Sequence, residues 1–486
     1  MTTITRPTIA DNVPTQAFIA GVWSSPSSTF EVRNPFNNDL VARVANCGPE
    51  DAKAALESAV TAFTTWRQTS GFERAVILKK WAELIRAHEL EIGRTMTLEM
   101  GKPITEGRGE SLYCAAAIEW NAEEATRIAG EVVPSRFAHK RAFSRLEPVG
   151  VVYGITPWNF PGAMIARKVA PALAAGCVFI LKPAEQSPLT ALYMAKLWEE
   201  AGGPVGTFQV IPTLDPVPVS KVLIDDARVK KLTFTGSTDV GRLLYTQSAK
   251  TLKRVSLELG GHAPFIVFDD ADAKSAAAVV AASKFRNAGQ QCVATNRVYV
   301  QEGIKAEFLE HFAREAQAIK TGNPLESTTS LGPLVDLAGL EKVRDHVADA
   351  VSKGARVVTG GGTLEGLFYA PTILDGITPD MKIVTEETFG PVAPVIGFSS
   401  AEEAIAAAND TEYGLAAYVW TRDITRAFKV AESLDYGIVG VNDGVPSAMA
   451  PQAPFGGMKN SGVGREGGRW GLEAFLEVKY ISIGLP

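Results

Sequence analysis

The chain of 486 residues is too long for one small core, and 46% hydrophobic with 21% charged residues is ordinary for a globular protein of two or three domains. A net charge of −6 without any basic run excludes nucleic acid as an expected partner. The four cysteines (Cys47, Cys114, Cys177, Cys292) form no CxxC pair and the five histidines no HExxH, so neither a disulfide framework nor a metal site is expected.

The N-terminal stretch MTTITRPTIADNVPTQAFIAGVW lacks the basic start and continuous apolar run of a secretory signal. The most apolar internal run, VAPALAAGCVFIL, lies between Lys168 and Lys182 and falls short of the ~20 residues a membrane helix needs. A soluble cytoplasmic protein without membrane partners is expected. Residues 50–130 read as helices rich in Ala, Glu, Leu and Arg. From residue 149, short β-branched runs (VGVVYGI, CVFILK, FQVIP, KKLTFTG, PFIVF) alternate with helical segments, the pattern of a parallel sheet in βα units. A second such alternation spans about 261–440, so two α/β domains are expected. The terminal EVKYISIGL alternates like a strand, with Ile481, Ile483 and Leu485 on one face. Its edge can dock on its own domain or pair with another chain.

Four junctions carry polar residues beside strand ends. VYGITPWNFPGAMIARK leaves a strand through Thr156-Pro157-Trp158 and enters a helix with Pro161 at the first position, which sets Asn159 at the junction. CVFILK is followed by PAEQSP, and ligands of open α/β sheets bind beyond the carboxyl ends of strands, where Lys182 and Glu185 then lie. A carboxylate there suits ribose hydroxyls and repels a 2′-phosphate; a plain Lys182–Glu185 ion pair is the other reading. KKLTFTGSTDVGRLLYTQ runs strand, Gly236 turn, helix, and the helix start at Ser237 suits a pyrophosphate, although a simple cap explains Ser237 equally well. LELGGHAP places Glu258 at a strand end beside Gly260 and Gly261.

Cys292 stands apart from the other cysteines. Cysteine usually packs as a small hydrophobe, as Cys177 does within PALAAGCVFILK, whereas Cys292 follows the polar turn Gly289-Gln290-Gln291. PWNFP, KPAEQSP, FTGST, LELGG, GQQC, EETFGPV and PFGGMKNSGVGRE together resemble the aldehyde dehydrogenase superfamily in order and spacing, over nearly the whole chain. The resemblance implies two doubly wound α/β domains, a Rossmann-like NAD-binding domain (1–129 plus 149–260) and a catalytic domain (261–460). A small β oligomerisation element with the C-terminal tail (130–148 plus 461–486) completes a homodimer or homotetramer. It implies Cys292 as nucleophile, Glu258 as general base and Asn159 as oxyanion donor. Lys182 and Glu185 would hold the adenosine ribose, Ser237 the pyrophosphate, Glu387 and Phe389 the nicotinamide ribose. Ile155, Pro157, Trp158, Phe234, Gly236 and Gly260 would line the rest of a site for NAD, with NADP as the other cofactor. A thiolate adds readily to an aldehyde, one preorganised oxyanion donor is worth ~3–4 kcal/mol, and a thioester needs an activated water. Intact Glu258 disfavours a coenzyme-A-acylating relative.

Phe160, Met164 and Arg167 share a helical face that begins beside Asn159, and Arg286 lies six residues before Cys292. Guanidinium groups suit bidentate recognition of a carboxylate. MIARK and KFRNAGQ are similar to stretches of succinate-semialdehyde dehydrogenases, which implies an aldehyde with a distal carboxylate as substrate; glutarate or 2-oxoglutarate semialdehyde, or broad specificity, are the alternatives. Ser447 and Phe455 would complete that site, in a loop about two residues longer than the usual pattern. Some relatives carry a second cysteine two positions after the nucleophile; here Ala294 occupies it.

Overall fold

The computed structural model describes residues 9, 12–26, 28–445 and 450–486. The helical stretch after residue 48 forms as the pattern predicts, in helices Pro49–Trp66, Gly71–Ala87, Glu89–Met100 and Ile104–Ala125. Ser70 begins the second of these with a capping box, accepting from Glu73 N while the Glu73 carboxylate accepts from Ser70 N at 2.9 Å.

The β-branched runs assemble into an eight-stranded sheet, ordered Val22–Ser24, Ala17–Ile19, Phe208–Val210, Val178–Lys182, Val151–Ile155, Val229–Thr235, Arg254–Glu258, Gly462–Val463. The five strands between the antiparallel margins are parallel. VFILK is buried at every position, because helices cover both faces of such a sheet. The chain winds outward from Val151–Ile155 to Phe208–Val210 and then returns to the other side, so the topological switch point lies between Val151–Ile155 and Val229–Thr235. Register aligns Lys182 with Ile155, Ile155 with Phe234, and Thr235 with Glu258, one row along the carboxyl edge.

A seven-stranded sheet follows, ordered Arg356–Thr359, Thr372–Asp375, Val392–Phe398, Thr295–Gln301, Ala263–Val267, Ala416–Trp420, Ile438–Val441, parallel except at Arg356–Thr359. Two α/β sheets were expected, and two are present. The terminal strand Leu476–Gly484 docks on its own chain, antiparallel to Lys140–Pro148 over nine residue pairs, with Val132–Val133 beyond. It remains at the margin of this three-stranded sheet, with Val478, Tyr480 and Ile483 exposed. Among the described residues, no helix is long and apolar enough to cross a membrane.

Candidate active site

The carboxyl edge of the first sheet faces loops that enter the second at its amino edge. Gly260–His262 precede Ala263–Val267, Cys292 precedes Thr295–Gln301, and Glu387 precedes Val392–Phe398. Between them lies a cavity of about 540 Å³, walled by Pro157, Trp158, Asn159, Gly236, Ser237, Gly260, Glu387, Phe389 and Cys292. A second cavity, about 120 Å³ as bounded by the described residues, holds Arg167, Arg286, Tyr113, Phe455 and again Cys292. Phe160 and Met164 line both. The half-buried sulfur therefore stands where two chambers meet.

The turn that presents Cys292 is strained. Asn287, Ala288 and Gly289 take left-handed backbone angles in succession (φ +48°, +54° and +73°). A Cβ on Gly289 would fall 2.2 Å from the Gly390 carbonyl oxygen, so no other residue fits there. Hydrogen bonds hold the turn. The Asn287 N–H donates to both oxygens of Glu106 (3.2 and 3.0 Å), and Asn287 Nδ2 donates to the carbonyls of Asn159 and Gln290 (each 3.1 Å). Asn159 Nδ2 donates to the same Gln290 carbonyl at 3.1 Å, which occupies one of its two amide hydrogens.

Charge and burial set the acid–base character. Burial, then the nearby Glu387 carboxylate, pushes the Cys292 thiol up to about 12, with Arg167 opposing. The resting group is thus a thiol, and not the thiolate that an electropositive pocket would produce. Glu258 is 2% exposed, and neither carboxylate oxygen has a hydrogen-bond partner among the described residues. Burial drives its acidity down (pKa well above the usual carboxylate range), the Glu466 charge adds to this, and Lys168, Arg167 and Arg465 work against it. Lys168 and Glu466 are themselves a buried ion pair. The Glu387 carboxyl is raised to about 7 by burial, while its Oε1 accepts from Gly261 N at 3.1 Å.

The cofactor residues divide into two groups. Ser237 caps the helix Thr238–Ser248, 3.5 Å from Val240 N, and Phe389 meets Trp158 edge-on with ring centroids 5.7 Å apart. Lys182, Glu185, Ile155 and Phe234 lie on or beyond the strand ends and do not line the cavity; Lys182 Nζ is 3.2 Å from Glu185 Oε2. The walls fit a dinucleotide: a helix N-terminus at Ser237, an apolar slot, and a carboxylate oxygen, Glu387 Oε2, toward which a Cβ on Gly260 would intrude at 3.1 Å.

On the substrate side, Arg167 Nε donates to Tyr113 Oη at 2.7 Å and its guanidinium lies 4.1 Å above the Phe455 ring. Arg286 lies over Phe160 at 5.4 Å, and its charge acts on the Glu106 carboxylate. Ser447 is outside the described residues.

Sequence reasoning missed Tyr113 and the Lys102–Glu110 pair. Lys102 Nζ, fully buried, contacts Glu110 and donates to the Asn159 carbonyl at 2.9 Å. The Glu110 carboxylate accepts from Gly162 N and Ala163 N (2.9 and 3.0 Å), capping the helix Pro161–Ala175. Glu110 and Tyr113, three apart in Ile104–Ala125, share a helical face, which was the available signal.

The family model described as "Aldehyde dehydrogenase family" matches residues 23–481. A succinate-semialdehyde dehydrogenase [NADP(+)] of Escherichia coli (strain K12) is 48% identical over 97% of this chain and 98% of its own. A glutarate-semialdehyde dehydrogenase of Pseudomonas putida (strain KT2440) is 47% identical over 96% of this chain and 97% of its own. A crystal structure of an E. coli NADP-dependent enzyme superposes with a TM-score of 0.96 at 48% identity, covering 97% of this chain and 98% of the other.

Proposed function

This chain belongs to the aldehyde dehydrogenase family, and on that premise we propose that it oxidises succinate semialdehyde, an aldehyde with a distal carboxylate, to the acid with NAD. The observation that carries the substrate class is the meeting of Cys292, Arg167 and Arg286 around one small cavity. Two cations in this chamber, whose one carboxylate among the described residues, Glu110, is already paired with Lys102, favour a substrate that brings its own carboxylate. The glutarate-semialdehyde relative keeps the five-carbon analogue as the second reading.

In this reading Cys292 Sγ adds to the aldehyde carbon and gives a thiohemiacetal, the thiol proton passing to the former aldehyde oxygen and leaving to solvent when hydride departs and the thioester forms. Asn159 Nδ2 and the backbone N–H of Cys292 stabilise its oxygen. The bound nicotinamide supplies the acceptor for the hydride. Glu258, whose oxygens have no hydrogen-bond partner among the described residues, then withdraws a proton from the water that hydrolyses the Cys292 thioester. Burial raises its pKa, which makes it a stronger base than an ordinary carboxylate. Initial rates on aldehydes with and without an ω-carboxylate test the assignment; equal kcat/KM for succinate semialdehyde and butanal would sink it.

The choice of NAD rests on Glu185, which is 41% exposed beside Lys182. A carboxylate there repels a 2′-phosphate, so Glu185→Ser should narrow the preference for NAD over NADP. A wild-type enzyme that prefers NADP contradicts this. Residues 1–129 with 149–260 serve the cofactor, 261–460 catalysis, and 130–148 with 461–486 assembly as a cytoplasmic homo-oligomer. The exposed apolar margin at Val478, Tyr480 and Ile483 supports the last point.

A further inference from the structure

Two of the five histidines hold one short loop from separate sides. His262 is fully buried and its Nε2 lies 2.8 Å from the Val384 carbonyl oxygen. A carbonyl only accepts, so Nε2 carries the hydrogen. His346, 1% exposed, has Nδ1 3.1 Å from Thr388 Oγ1 and Nε2 3.3 Å from Glu386 Oε2. The Glu386 carboxylate oxygen accepts from Nε2–H, which leaves Nδ1 to accept the Thr388 hydroxyl. Both imidazoles are thereby set in the same tautomer by their partners.

Between these grips stand Glu387 and, just beyond, Phe389, which takes the left-handed φ of +53°. Gly261, next to His262, donates its N–H to Glu387 Oε1 at 3.1 Å. The end of the loop is pressed against the helix that bears His346: a Cβ on Gly390 would approach Val343 Cγ2 to 2.3 Å. Neither histidine lines the cavity. We propose that His262 and His346 are positioning residues that clamp residues 384–389, so that the Glu387 carboxylate and Phe389 ring are presented to the nicotinamide end of the cofactor. The clamp rests on the assignment of Glu387 to the nicotinamide ribose made above.

The test measures the dissociation constant for NAD and, without cofactor, the rate of Cys292 alkylation by iodoacetamide. Full-length His262→Ala, His346→Ala, His262→Gln and Glu387→Ala are compared with wild type. Each histidine-to-alanine change should weaken NAD binding about five- to tenfold, as loss of one or two hydrogen bonds does, with alkylation within about twofold of wild type. His262→Gln, whose amide still donates to Val384, should recover most of the affinity. Wild-type NAD affinity in a folded alanine variant overturns the clamp. So does a parallel fall in alkylation, which marks general loosening. If His346→Ala does not fold, His346→Leu replaces it, filling similar volume and making neither bond; unchanged affinity there also overturns the proposal. Glu387→Ala separates the two ideas: wild-type NAD binding by that variant removes the ribose assignment, whereas weakened binding with intact histidine variants removes only the clamp.

Discussion

Cys292 is caught between exposure for reaction and burial that keeps its proton on. With the thiol at about 12, the thiolate fraction rises about tenfold per pH unit throughout the neutral and mildly alkaline range. Alkylation of the cofactor-free enzyme should therefore climb from pH 7 to 10 without a plateau, and a plateau below pH 9 would show a far more acidic thiol. Glu258 acts after Cys292 in the proposed order, and its roles can be separated. Glu258→Gln should still form the thioester, giving a burst of NADH near one equivalent per site and then very slow turnover; steady turnover at the wild-type rate would remove Glu258 from its assignment. On the proposed reading, Arg167 and Arg286 restrict the substrate. Hydrogen bonds to charged groups are worth ~1.5–3 kcal/mol, so Arg167→Leu or Arg286→Leu should cost roughly ten- to a hundredfold in kcat/KM for succinate semialdehyde. Butanal should be unaffected or improved. Equal losses on both substrates would assign the arginines to the fold.

The helix Pro161–Ala175 connects the two chambers. Pro161 and the following apolar run announce it in the sequence, and its start is where Pro161 predicts. What holds that start could not be read locally. Its free N–H groups are capped by Glu110, and Glu110 is held in turn by Lys102, which also secures the Asn159 carbonyl. Removing one partner of a buried ion pair typically costs about 3–5 kcal/mol, because the other charge remains buried alone. Lys102→Met should lower the unfolding free energy by that order and also reduce kcat through a displaced Asn159. A variant with wild-type stability in denaturant titration would show that the capping contacts suffice without the lysine.

For the molecule as a whole, the site exists because one sheet offers its carboxyl edge and the other its amino edge to the same cleft. The terminal strand plays no part in that cleft. Leu476–Gly484 pairs with Lys140–Pro148 and leaves an apolar margin, a liability that the proposed association would cover. A chain ending at residue 475 should retain the cleft but run as a smaller species in light scattering after gel filtration. An unchanged mass would place the subunit contacts elsewhere.

The sequence by itself determined the parallel strands, the helix start at Pro161, Asn159 and Glu258 among the polar residues beside strand ends, and Cys292 behind a polar turn. Periodicity, turn residues and residue chemistry are local properties, and they survive in a linear string. Tertiary structure alone decided the charges and strain around them. The Lys168–Glu466 pair that tempers Glu258 joins residues 298 positions apart, and Lys102 reaches Asn159 across 57. Tyr113 meets Arg167 across 54, and the left-handed turn before Cys292 is pinned by Glu106 across 181. Burial, and with it acidity, depends on which distant segments exclude water from a group, and local sequence does not encode that exclusion.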